Sequence, residues 1–222
     1  EFTWSTEFNI AYNSNEISSI GGYSPDAVSG GTNDTRVVVG SPVGTNFLVR
    51  FSHIDPSNGR PVYLDIDGNE TYIWDPANRV AVGNVLPDAI GGINNSFTYK
   101  GFDFSFLFAF VIGGDIYDSS SKRQLGVMSI NDGLWNMTPH IFDRWQQPGD
   151  NAGYARVTTE NANLGSTTPW INTDLWLHDG SFLRLRNITF GYTFPAEKVK
   201  KWKLGGLRIY AVGTNLLTFA KF

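Results

Sequence analysis

The chain runs to 222 residues and is rich in aromatics (14%) and glycine, yet only 17% of it is charged, against roughly 25% in an average soluble domain. A formal net charge of −4 without a basic stripe excludes a nucleic-acid partner, and the absence of cysteine excludes disulfides and thiolate chemistry. No run reaches the roughly 18 apolar residues of a transmembrane helix, and the opening Glu1-Phe2-Thr3-Trp4 does not read as a leader peptide.

From Phe2 to Asn13 the chain alternates strictly, with Phe2, Trp4, Thr6, Phe8, Ile10 and Tyr12 on one side and Thr3, Ser5, Glu7, Asn9, Ala11 and Asn13 on the other. A period of two places a β-strand here with one greasy and one polar face. Residues 14–88 change character: Gly21-Gly22, Gly30-Gly31, Asn58-Gly59, Asp67-Gly68 and Asp75-Pro76 mark turns, so this stretch reads as a long structured loop carrying hairpins. Its β-prone runs are Phe47 to Ile54 and Pro61 to Trp74, the second split by a turn at Asp67-Gly68. Asp65, Asp67, Asn69 and Glu70 only loosely resemble a calcium loop, lacking its full spacing, and read as that turn.

Ala89 to Tyr99 returns to alternation, with Ile93, Phe97 and Tyr99 opposed to Asn94, Ser96 and Thr98. Lys100-Gly101 then makes a tight turn into Phe102 to Ile112, whose even positions are Phe102, Phe104, Phe106, Phe108, Phe110 and Ile112. This is the most apolar face in the chain, and its length matches the ~10 residues that carry a tilted strand across a bilayer. Residues 113–180 form a second long excursion, whose aromatic content argues against disorder. In Ser181 to Phe194 the alternation slips, with Leu183 and Leu185 on one parity and Ile188, Phe190, Tyr192 and Phe194 on the other. A bulge near Asn187, or a strand continuing beyond the lipid, reconciles the halves and keeps Arg184 and Arg186 off the hydrocarbon. Residues 195–206 read as a short connection with one helical stretch and its lysines, Lys198, Lys200, Lys201 and Lys203, in water; Leu207 to Phe219 makes a fifth strand.

The connections therefore alternate long, short, long, short. Transmembrane barrels do the same, because their extracellular loops are long and their periplasmic turns short. The fold class expected is all-β, a transmembrane antiparallel β-barrel of which this chain supplies about five strands.

The run Asp179-Gly180-Ser181-Phe182-Leu183-Arg184-Leu185-Arg186-Asn187-Ile188-Thr189-Phe190-Gly191-Tyr192-Thr193-Phe194-Pro195 closely resembles a run in the last barrel strands of the SusC/RagA family of TonB-dependent outer-membrane transporters. Leu207 to Thr218, the hairpin from Gly91 to Asp103, and Asp143-Arg144-Trp145 with Pro148 are similar to further elements of that family. The resemblance implies a barrel of the 22-strand type, to which residues 1–222 contribute one part, with the plug, the TonB box and a final strand lying outside them.

It also implies outer-membrane, TonB-driven import of a glycan or oligopeptide together with a SusD-like surface lipoprotein, with outer-membrane lipid around the wall. Two alternatives stand beside it, a soluble carbohydrate-binding β-sandwich and a siderophore or vitamin receptor lacking a lid protein. No catalytic residues, cofactors or metal ligands are expected: His53, His140 and His178 are scattered and no nucleophile elbow occurs. Candidate contacts to ligand or lid are the loop residues Trp135, Trp145, Tyr154, Trp170, Asp143 and Asp150.

Overall fold

The structure is a computed structural model, described here for residues 1–24, 28, 35–126, 136–156 and 172–221. Its strands in chain order are β1 (Phe2–Tyr12), β2 (Thr35–Arg36), β3 (Thr45–Ile54), β4 (Pro61–Leu64), β5 (Glu70–Thr71) and β6 (Arg79–Asn84). They continue with β7 (Pro87–Tyr99), β8 (Phe102–Gly113), β9 (Asp115–Tyr117), β10 (Leu177–Asp179), β11 (Phe182–Thr193) and β12 (Arg208–Ala220). Two short α-helices, α1 (Ser119–Gly126) and α2 (Ala196–Val199), complete the regular elements with a few 3₁₀ turns. The chain divides into a sheet unit and a loop unit.

The sheet unit holds the five long strands in the order β1-β7-β8-β11-β12, every pair antiparallel. Tyr99 pairs with Phe102 across the two-residue turn, and Lys100 (φ 47°) and Gly101 (φ 89°) both take positive φ. That is the primed turn whose twist matches the flanking strands. Registers such as Trp4↔Phe97, Phe97↔Phe104 and Phe104↔Phe190 bring the aromatic positions of separate strands onto one face.

The slip in parity is a bulge. Leu185 pairs with Phe108 and Asn187 with Leu107, leaving Arg186 as an extra residue of β11. Between the matching rungs of β12, Leu217 and Thr214, a further residue is inserted, and Asn215 there adopts φ 52°. Asparagine tolerates this left-handed conformation better than most residues. Leu183 and Leu185 thereby join Ile188, Phe190 and Tyr192 on the aromatic face, while Arg184 pairs with Ala109 on the other.

The loop unit has its own core, in which Val49, Ile54, Tyr63, Leu125, Ile141, Ala155 and Trp176 are buried together. Strand β3 organises it by pairing with β2, β4 and β6, and β9 pairs with β10. The Asp67-Gly68 turn joins β4 to β5; Asp65 donates its N–H to the Asn69 carbonyl and accepts the Asn69 N–H at its carboxylate. Asp118 accepts N–H bonds from Ser120 and Ser121, capping α1. Both excursions thus contribute to one small folded body.

Candidate functional site

Each face of the five-stranded sheet has its own chemistry. One carries Phe2, Trp4, Phe8, Ile10 and Tyr12 of β1, Ile93, Phe97 and Tyr99 of β7, the phenylalanines of β8, the apolar residues of β11, and Ile209, Leu217 and Phe219 of β12. Within the sheet unit and among the described residues, these rings meet their neighbours on the same sheet. Trp4 stacks on Phe97, Phe97 on Phe104 and Phe106, Phe8 on Phe110, and Phe102 lies against Phe190 and Tyr192. Phe2, Phe8 and Phe219 remain about 60% exposed. A band of rings left exposed to this degree needs an apolar partner.

Asn95 interrupts the band, and the alternation of Ile93, Phe97 and Tyr99 gives no sign of it. It is buried, and its Oδ1 accepts hydrogen bonds from the Trp4 indole N–H at 3.0 Å and the Thr6 hydroxyl at 2.7 Å. Two side-chain donors of β1 thus share one acceptor on β7, which lowers the cost of holding these polar groups among aromatic rings.

The other face is polar toward its short-turn end. Asp103 of β8 receives the Arg208 guanidinium of β12, at 2.6 Å to Nη2 and 3.2 Å to Nε. The pair reaches across β11 at Gly191, where a Cβ would fall 2.6 Å from Asp103 Oδ2 and 2.9 Å from Arg208 Nη2. Arg184 donates to the Thr218 hydroxyl on this same face, and Asn94 to Glu7.

The loop unit contains the described candidates for ligand or lid contact. Trp145 is half-buried against its core, donates its indole N–H to the Pro56 carbonyl at 2.9 Å, and covers Gly59 so closely that a Cβ there would lie 2.5 Å from its ring. Tyr154 stacks on Trp176 at 6.1 Å, and burial raises its phenol above the usual range. Asp150 accepts the N–H groups of Gln146 and Gln147. These three side chains hold the loop together. Asp143 differs: it is exposed beside exposed His140, 3.8 Å away, and Phe142 is 73% exposed next to it. Trp135 and Trp170 lie outside the described residues. No cluster of metal-ligating side chains occurs among the described residues.

No family model matches the chain. Curated relatives do, over its whole length. The TonB-dependent receptor P3 of Formosa agariphila is 26% identical, and the TonB-dependent receptor SusC of Bacteroides thetaiotaomicron is 26% identical. The chain spans 23% and 22% of their lengths, respectively. Among solved structures, that of the RagAB peptide transporter superposes with a TM-score of 0.80 at 21% identity, covering all of this chain and 24% of that one. Over its whole length the chain is thus similar to TonB-dependent receptors, SusC among them, and its two-faced antiparallel sheet has the fold of a section of the RagAB barrel.

Proposed function

We propose that residues 1–222 form part of the barrel wall and extracellular loops of an outer-membrane nutrient importer driven through TonB. The observation that carries this reading is the aromatic face of the β1-β7-β8-β11-β12 sheet, opposed to a face bearing Glu7, Asp103, Arg184 and Arg208. Lipid on one side and an aqueous lumen on the other satisfy both faces. A soluble sandwich would have to bury the aromatic face under a second sheet layer; among the described residues of the sheet unit the rings meet neighbours on their own sheet.

The partners in this reading are a SusD-like surface lipoprotein closing over the loops, TonB acting from the periplasm, and outer-membrane lipid. The cargo is a glycan or an oligopeptide; RagAB, a solved structure whose fold this chain shares, is a peptide transporter. The chain's part in this is transport, without catalysis. Within the loops, the exposed Asp143 with Phe142 and His140 suits direct contact with lid or cargo, whereas Trp145, Tyr154 and Asp150 serve by holding that surface in shape. Trp135 and Trp170 complete the proposed contact set.

Membrane fractionation of the full protein tests the reading. It should require detergent, shift its electrophoretic mobility on heating as barrels do, and co-purify with a surface lipoprotein. Recovery in buffer without detergent would overturn it. Uptake of labelled oligopeptides against labelled oligosaccharides by cells with and without the protein then identifies the cargo class.

A further inference from the structure

The two short connections of the sheet unit sit side by side. Thr193 donates its N–H to the Gly101 carbonyl at 2.7 Å, so the Lys100-Gly101 turn touches the start of the 195–206 connection. Between them these turns carry Lys100, Lys198, Lys200, Lys201 and Lys203, all exposed, against one acidic residue, Glu197. Among the described residues none of the five lysines enters an ion pair. The local backbone is well defined: Val199 is fully buried, Leu204 donates its N–H to the Val199 carbonyl, and Lys203 closes the turn at φ 59°.

Water alone would account for the lysines, but not for what lies among them. Trp202 is 61% exposed and meets Phe194 edge-on at 6.4 Å. Phe194 meets Tyr192 at 4.8 Å, and Tyr192 meets Phe102 at 4.4 Å. A line of rings therefore runs unbroken from the outward aromatic band to the middle of the lysine cluster. Lys100 extends along the Tyr99 ring with its ammonium 5.2 Å from the centroid. Amphipathic rings at the depth of the ester groups, with ammonium groups beyond them at the depth of the phosphates, match the layering of a phospholipid leaflet.

We propose that these paired turns are a binding site for an anionic glycerophospholipid of the leaflet that abuts the short-turn end. In this site Trp202 and Phe194 lie against the upper acyl chain and Lys198, Lys200, Lys201 and Lys203 meet the headgroup. The proposal rests on the membrane-barrel reading. Charge complementarity selects the lipid class, because an uncharged or zwitterionic headgroup leaves the ammonium cluster without a net counter-charge.

The test uses the full protein in nanodiscs of phosphatidylcholine doped with phosphatidylglycerol. Lipids retained on gentle removal are counted by native mass spectrometry, with K198Q/K200Q/K201Q/K203Q and W202A as variants. Wild-type protein should retain phosphatidylglycerol well above its bulk fraction, the fourfold variant should lose at least ~10-fold of that preference, and W202A should lose a smaller part. Added salt should weaken retention by the wild type far more than by the fourfold variant. Equal retention by wild type and fourfold variant, in protein that inserts and shifts on heating normally, would overturn the lipid site and leave the barrel standing. Preferential retention of lipopolysaccharide in mixed discs would overturn it too, because the turns would then face the other leaflet. Failure of the wild type to insert in any disc would remove the barrel reading and this proposal together.

Discussion

Replacing Gly59 with alanine measures whether Trp145 works as a clamp. The glycine sits at φ 70°, and its missing Cβ leaves the space that Cδ2, Cε3 and Cγ of the Trp145 ring fill at 2.5 to 2.8 Å from where that carbon would be. Two costs should therefore add: about 1–2 kcal/mol for placing a Cβ in left-handed backbone and about 1–3 kcal/mol for the overlap with the ring. Trp145→Ala removes a half-buried indole and its bond to Pro56; burial in full would cost about 3–5 kcal/mol, so about 2 kcal/mol is expected here. With the ring gone, only the backbone cost of Gly59→Ala remains, and the two substitutions should couple by the size of the overlap. Hydrogen–deuterium exchange over residues 144–156 of the full protein reads the local opening free energy in all four combinations. Equal cost of Gly59→Ala with and without the indole would refute the clamp. A Trp145→Ala protein with unaltered exchange but lost cargo or lid binding would return Trp145 to direct contact.

Three further outcomes are expected. Asn95→Leu leaves the Trp4 N–H and the Thr6 hydroxyl without their acceptor and should destabilise the folded protein in lipid vesicles by about 1–3 kcal/mol; adding Thr6→Val should recover part of this in urea titrations, and no recovery would count against the cluster. Phe104→Arg on the aromatic face should cost about 2–4 kcal/mol in the same titration, whereas Ser105→Arg one position along should cost far less; similar costs would mean that the faces are not solvated differently. Bonds from the Tyr72 hydroxyl and from Ser57 hold the Asp55 carboxyl at a pKa of about 2, below its ordinary 3.8. Its contribution to stability is therefore present above 3.8 and is lost as pH falls through about 2. Exchange over residues 55–60 should accelerate in that window, and Asp55→Asn should flatten the dependence.

The long strands were legible because each is long enough to repeat its period several times and because only one face tolerates charge. The Leu183/Leu185 slip was readable for the same reason: placing Arg184 and Arg186 in hydrocarbon is costly enough to require an irregularity, and the structure puts it at Arg186. Strands β2, β5, β9 and β10 have two or three residues each, too few for any periodicity. Of these, β9 pairs with β10 across some 60 residues of sequence, from Tyr117 to Leu177, whereas β5 pairs locally with β4 through the Asp67-Gly68 turn that the sequence does mark. The core formed by Val49, Tyr63, Leu125 and Trp176 was hidden likewise, because it gathers single residues from both excursions. Asn95 escaped notice because alternation sorts residues by face and says nothing of a polar side chain whose partners lie on another strand.

The extra residues at Arg186 and Asn215 act like added stitches in successive rows of knitting. Between the same two rungs β11 is one residue longer than β8, and β12 one longer again than β11, and fabric worked that way cups instead of lying flat. Bending of the wall is thus written into residue count along the backbone. A one-residue deletion at 186 would change the curvature of the strands on either side.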